Sequence, residues 1–121
     1  LLVLQLKHGK AIENADEILS VPGIDAFFVG PNDLLKSMGE KPQWESDKQE
    51  FIDALDHLQA VGKKYGVASG IHVADVAAAE RRRKEGFQFI AVASEAGMML
   101  SKASEMAKAL GCGQDREVAK Y

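Results

Sequence analysis

Residues 27–35 read FFVGPNDLL, and the fold turns on how this stretch is read. Residues 24–29 are rich in aromatic and β-branched residues, the composition of a strand. The run stops at Gly30-Pro31, where glycine permits a tight backbone and proline fixes one dihedral angle. Asn32 and Asp33 follow, and Leu34 and Leu35 turn the chain apolar again. Taken alone, Asp33 has two readings. It caps a turn or helix, as Asx-type residues commonly do, or it presents a carboxylate to a cation at the end of a buried strand.

Outward from this turn the apolar pattern comes in units. Upstream, residues 1–6 (LLVLQL) are nearly continuous in apolar character and predict a strand buried on both faces. Residues 10–21 place Ile12, Ala15, Ile18 and Leu19 at helical spacing, and Pro22-Gly23 breaks that helix. Downstream, the turn passes into a loop holding Gly39 and Pro42. A helix is expected over 46–65, with Phe51, Leu55, Leu58 and Val61 in one stripe, Asp47 and Glu50 in its first turn, and Gly66 as its stop. Residues 67–73 read as a third strand. Asp75 caps a short helix over 76–85 that ends at Gly86. Residues 87–94 form a fourth strand and 97–110 a last helix.

Strands alternating with helices predict a parallel sheet with right-handed crossovers. Four units are too few for a closed eight-stranded barrel, so the α/β architecture is a (β/α)4 half-barrel or a small open sheet. The half-barrel is assigned to residues 1–111 and a polar tail to 112–121. In either architecture chemistry belongs at the carboxyl ends of the strands. Those ends hold Lys7, His8, Asn32, Asp33, residues 70–72, Ser94 and Glu95.

Composition narrows the function. The net charge of -3 comes from interspersed signs, which argues against nucleic acid as a partner. No apolar run of about 18 residues is present, so no membrane-spanning helix is expected. The single Cys112 permits no internal disulfide and fits a reducing, cytoplasmic setting. The chain starts at Leu1 rather than Met, which fits either a removed leader or a piece of something longer. His57 lies within the long helix and carries no functional argument. His72, on the third strand, is read as a hydrogen-bonded structural histidine. The run RRRKE at 81–85 is read as solvated helix surface.

Two segments carry a resemblance: VPGIDAFFVGPNDLLKSMG at 21–39 and GVASGIHVADVAAAERRRKEGFQFIAVASEAGMML at 66–100. They resemble the HpcH/HpaI aldolase/citrate lyase family, metal-dependent pyruvate aldolases of the macrophomate-synthase-like type. The resemblance leaves out only the tail. It implies a full TIM (β/α)8 barrel, of which this chain is the C-terminal half. It also implies that Asp33 is a ligand of Mg or Mn. Gly30, Pro31, Asn32 and Asp33 would bind the substrate, the amides of Asn32 and Asp33 holding its carboxylate. A hard cation takes carboxylate oxygens and stabilises an enolate, so the implied activity is class II aldol cleavage of a small 2-ketoacid, of the pyruvate or oxaloacetate type.

The pattern breaks at one place. The family carries a metal-binding Glu where this sequence reads Gln5-Leu6-Lys7-His8. An ammonium has no lone pair and repels a divalent ion. Lys7 is therefore read as a departed ligand position whose ammonium pairs with Asp33. A minor alternative makes it a Schiff-base lysine. His8 faces away from Lys7 and is read as a surface or packing residue rather than a substitute ligand. The catalytic Arg and His-Asp pair that the resemblance implies belong to the other half-barrel. Two functions follow: a lyase impaired as this chain alone, or a non-catalytic truncated homologue serving as a binding or self-assembly module. Open strand edges and an apolar inner face predict a homo-oligomer or a complementary N-terminal half-barrel. Met98, Met99, Leu100 and Met106 offer a further apolar stripe.

Overall fold

Four short strands, β1 (Val3–Leu6), β2 (Ala26–Val29), β3 (Ala68–Val73) and β4 (Phe89–Val92), pair in parallel in chain order. The structure is a computed structural model that describes residues 1–112. The expected tail at 112–121 therefore lies outside the described residues, apart from the exposed Cys112. Helices α1 (Gly9–Glu13) and α2 (Ala15–Leu19) link β1 to β2. Helices α3 (Pro31–Ser37) and α4 (Gln49–Tyr65) link β2 to β3. Helix α5 (Val76–Lys84) links β3 to β4, and α6 (Glu95–Ala109) follows. Four parallel strands joined by helices make the expected (β/α)4 half-barrel architecture.

The register explains the two faces of the sheet. Leu6, Val29, Ile71 and Ile90 lie in one row, and Gln5, Phe28, Gly70 and Phe89 in the adjacent one. Alternate residues point to opposite sides. The first row joins Phe27 and Val73 in the core beneath the helices, where Phe51, Leu55, Leu58 and Val61 of α4 are all buried. The second row faces the side that a closed barrel would enclose, and there Phe89 is 49% exposed. The expectation that residues 1–6 are buried on both faces is thus overturned. Leu6 is buried but Gln5 is exposed, because helices cover only one side of this sheet. Gly70 sits where Phe28 and Phe89 meet across it, ring centroids 5.4 Å apart. A Cβ there would lie 2.8 Å from the Phe89 carbonyl oxygen and 2.9 Å from the Phe28 ring.

Local sequence accounts for most element ends, and the departures have local causes. The single helix expected over 10–21 is two helices divided at Asn14, whose side chain favours non-helical backbone (φ -95, ψ 14). The turn at Gly30-Pro31 opens directly into α3, because proline at the first helical position is already set for a helix. Its Leu34 and Leu35 are fully buried and hold it down. Helix α4 begins at Gln49, which leaves Asp47 outside it. Gly66 ends that helix in the left-handed region (φ 70), as expected. Asp75 accepts a 2.8 Å hydrogen bond from the Ala78 amide and caps α5. Arg82 corrects the reading of 81–85 as solvated surface. It is 8% exposed and ion-paired to Glu45 and Glu85, because the α3–α4 loop folds back onto α5.

Candidate active site at the carboxyl end of the sheet

Strand β1 ends at Leu6, so Lys7 leaves the sheet at its carboxyl edge on the same face as Gln5. Strand β2 ends at Val29, and Gly30 caps α3 without a side-chain bond. That places Asp33 in the first turn of α3, where a negative charge complements the helix start. Its carboxylate makes no capping hydrogen bond. The Lys7 Nζ lies 3.0 Å from Asp33 Oδ2, which is the pairing expected of these two residues. Both side chains are about half exposed, so the pair contributes at most about 1 kcal/mol to stability.

Gly30 lies beneath this pair. A Cβ on it would sit 3.2 Å from Gln5 Nε2, and 3.9 Å from both Asp33 Oδ2 and Lys7 Cβ. Gln5, Lys7 and Asp33 therefore gather around Gly30, whose missing side chain lets Gln5 pack close to the backbone. Pro31 is buried and offers no N–H, while helix geometry leaves the amides of Asn32 and Asp33 without intrahelical acceptors. Ser37 ties α3 to the start of α1, accepting the Gly9 amide at 3.0 Å and donating to the Leu34 carbonyl at 2.7 Å.

Two of the three histidines make structural hydrogen bonds. His8 is exposed and caps α1, its Nδ1 accepting the Lys10 amide at 3.2 Å. His57 is exposed on α4. His72 points to the inner face, and its Nε2 donates to the Ala93 carbonyl at 2.6 Å. Trp44 stands edge-on to the His72 ring with centroids 4.6 Å apart. Ala93 holds a left-handed backbone (φ 55) as β4 turns toward α6. Ser94 caps α6 by accepting the Gly97 amide at 3.1 Å. Glu95 lies exposed in the first turn of that helix. Asp25 is structural, accepting the Leu2 amide at 2.6 Å.

Two residues of this region escaped the reading of the sequence. Gln5 lies two positions before Lys7, so the strand period alone puts it on the same face. Trp44 is the only tryptophan, set in an otherwise polar loop. That composition marks it as unusual without naming His72 as its partner.

Comparison with known proteins follows the same outline. A family model described as HpcH/HpaI aldolase/citrate lyase matches residues 1–102. A hydroxypyruvate/pyruvate aldolase of Paraburkholderia phytofirmans is 34% identical over 98 residues, spanning 81% of this chain and 37% of that protein. A 2-dehydro-3,6-dideoxy-6-sulfogluconate aldolase of Pseudomonas putida is 36% identical over 110 residues, 89% of this chain and 42% of that protein. A crystal structure of an HpcH/HpaI aldolase/citrate lyase family protein from Burkholderia cenocepacia superposes with a TM-score of 0.81 at 28% identity, covering 90% of this chain and 42% of the other. The chain thus spans about two fifths of the length of these relatives.

Proposed function

The chain belongs to the HpcH/HpaI aldolase/citrate lyase family, and from that premise we propose that it is the C-terminal half of a carbon–carbon lyase barrel for a small 2-ketoacid of the pyruvate or oxaloacetate type. The substrate site is the turn from β2 into α3. Gly30 and Pro31 keep the backbone close, and the amides of Asn32 and Asp33 receive the carboxylate. Asp33 is the residue that would hold Mg or Mn, an ion that supplies charge for a developing enolate.

The residues present do not fit that ion. The Lys7 ammonium already engages Asp33 Oδ2 at 3.0 Å, and among the described residues no three His, Cys, Asp or Glu side chains converge on one point. This ion pair carries the reading: the chain by itself binds divalent metal weakly and is impaired in aldol cleavage. Titration of Mn into the chain and into Lys7→Glu checks it. The variant, with two carboxylates facing one another, is expected to bind Mn more tightly without gaining full activity. Low-micromolar binding by the unmodified chain, abolished in Asp33→Ala, contradicts the proposal.

A second reading, a non-catalytic binding or self-assembly module, is favoured by the uncovered surfaces. Phe89 on the inner face is 49% exposed, and α6 buries none of its residues, leaving Met99 70% exposed. Under either reading these surfaces are covered by a second copy or by a complementary N-terminal half-barrel. A stable monomer in analytical ultracentrifugation at micromolar concentration excludes self-assembly. A cytoplasmic setting belongs to the same proposal, and no described helix is long and apolar enough to cross a membrane.

A further inference from the structure

We propose that the Lys7 ammonium is itself the working cation of this site, so that Gln5 and Lys7, beside Gly30, join the amides of Asn32 and Asp33 in binding the oxygens of a small carboxylate without a divalent metal. The inference rests on the 2-ketoacid reading above and names the group that takes up the ligand's charge. Three observations carry it.

The first is the glycine. Gly30 has φ -101 and ψ 98, a conformation that any residue adopts, so the backbone does not demand glycine there. What the glycine provides is close approach. A Cβ would stand 3.2 Å from Gln5 Nε2 and 3.9 Å from Asp33 Oδ2 and Lys7 Cβ, so its absence lets the Gln5 amide settle against the backbone beside the Lys7–Asp33 pair.

The second is donor capacity. An ammonium carries three N–H donors, and Asp33 Oδ2 takes one of them. The Lys7 side chain is 51% exposed, which leaves donors open toward the mouth of the sheet. The exposed Gln5 side chain forms no hydrogen bond with another described residue, so its amide is available as a second donor. Two neutral or cationic donors on one strand face match the two oxygens of a carboxylate.

The third is the part played by Asp33. Its carboxylate holds the lysine head in place, and it also repels an incoming anion. Asp33 is thus a positioning residue here, and removing its charge leaves the donors free. That gives the opposite sign from a metal site, in which loss of the Asp33 charge destroys binding.

The test is isothermal titration of oxalate, and then pyruvate, into the full chain in EDTA, repeated with Mg. Binding is expected in EDTA and unchanged by Mg. Lys7→Met is expected to weaken it about tenfold, the worth of one charge-assisted hydrogen bond. Lys7→Arg is expected to retain it, and Asp33→Asn to retain or strengthen it. Thermal melts confirm that each variant is folded, and because Lys7 is half exposed Lys7→Met is expected to melt with the parent. Oxalate binding that appears only with Mg and vanishes in Asp33→Asn overturns the inference while leaving the ketoacid site standing. Absence of oxalate and pyruvate binding under every condition overturns both.

Discussion

Replacing Gly62 with alanine sets two opposing effects against each other. Gly62 lies on the buried face of α4. In an exposed helix interior, glycine to alanine stabilises by about 1 kcal/mol, because alanine loses less backbone freedom. At position 62 the new Cβ would lie 2.7 Å from Phe27 Cε1 and 3.0 Å from the Val67 carbonyl oxygen. Neither neighbour has an easy retreat. Phe27 is fully buried at the centre of the core. Val67 is backbone, tied to the helix end by a 2.9 Å bond from its amide to the Gly62 carbonyl. Overpacking of this kind costs about 1–3 kcal/mol. With neither neighbour able to move, the upper half of that range applies, and after the propensity gain the expected net destabilisation is about 1–2 kcal/mol. Urea denaturation followed by circular dichroism measures it as a lowered midpoint at unchanged slope. Ala60→Gly, on the exposed face of the same helix, serves as the propensity control and is expected to lose about 1 kcal/mol. A Gly62→Ala midpoint equal to or above that of the parent refutes the packing argument.

Arg82→Met removes a nearly buried guanidinium, leaving Glu85 without that partner and Glu45 paired only to Arg81. Those carboxylates are partly exposed, so the expected loss is about 1–2 kcal/mol rather than the value for a fully buried pair. Since Glu45 adjoins the only tryptophan, Trp44 emission should shift to the red in that variant, and an unchanged spectrum argues against the Arg82–Glu45 tether. Asp16 is held below its ordinary value of 3.8 by the hydrogen bond from Lys64 and then by that from Tyr65. Its contribution is present above that value and is lost as pH falls through the depressed folded value. The stability gap between the parent and Asp16→Asn should therefore close on acidification, and a gap that widens contradicts the assignment. Ala93→Gly relieves a left-handed alanine at some cost in chain entropy and should stabilise by about 1 kcal/mol, read as a raised melting temperature.

Much of the fold was legible because it is written in short-range pattern. The stripe Phe51, Leu55, Leu58 and Val61 repeats at helical spacing, and the same residues are buried against the sheet. Gly66 and Asp75 end and start helices through their own backbone and side-chain chemistry, which neighbours hardly alter. Where local signals compete, the reading slipped. Asn14 divided an expected helix, and Pro31, read as a turn residue, opened one. Proline suits both roles, and only the burial of Leu34 and Leu35 decides between them.

The sequence by itself determined the alternation of strands and helices, the placing of Lys7 and Asp33 at strand ends, and their opposite charges. Tertiary structure alone decided that their charged atoms lie 3.0 Å apart, with Gly30 letting Gln5 approach closely beside them. It also decided that Arg82 is drawn inward by Glu45, 37 residues away, that Trp44 stands against His72, and that α6 buries none of its residues. The physical reason is the range of the forces. Period, capping and turn preference act over a few neighbouring residues and leave a mark on composition. A contact between distant residues depends on strand register and on the path of the intervening loop, which are settled only when the core packs.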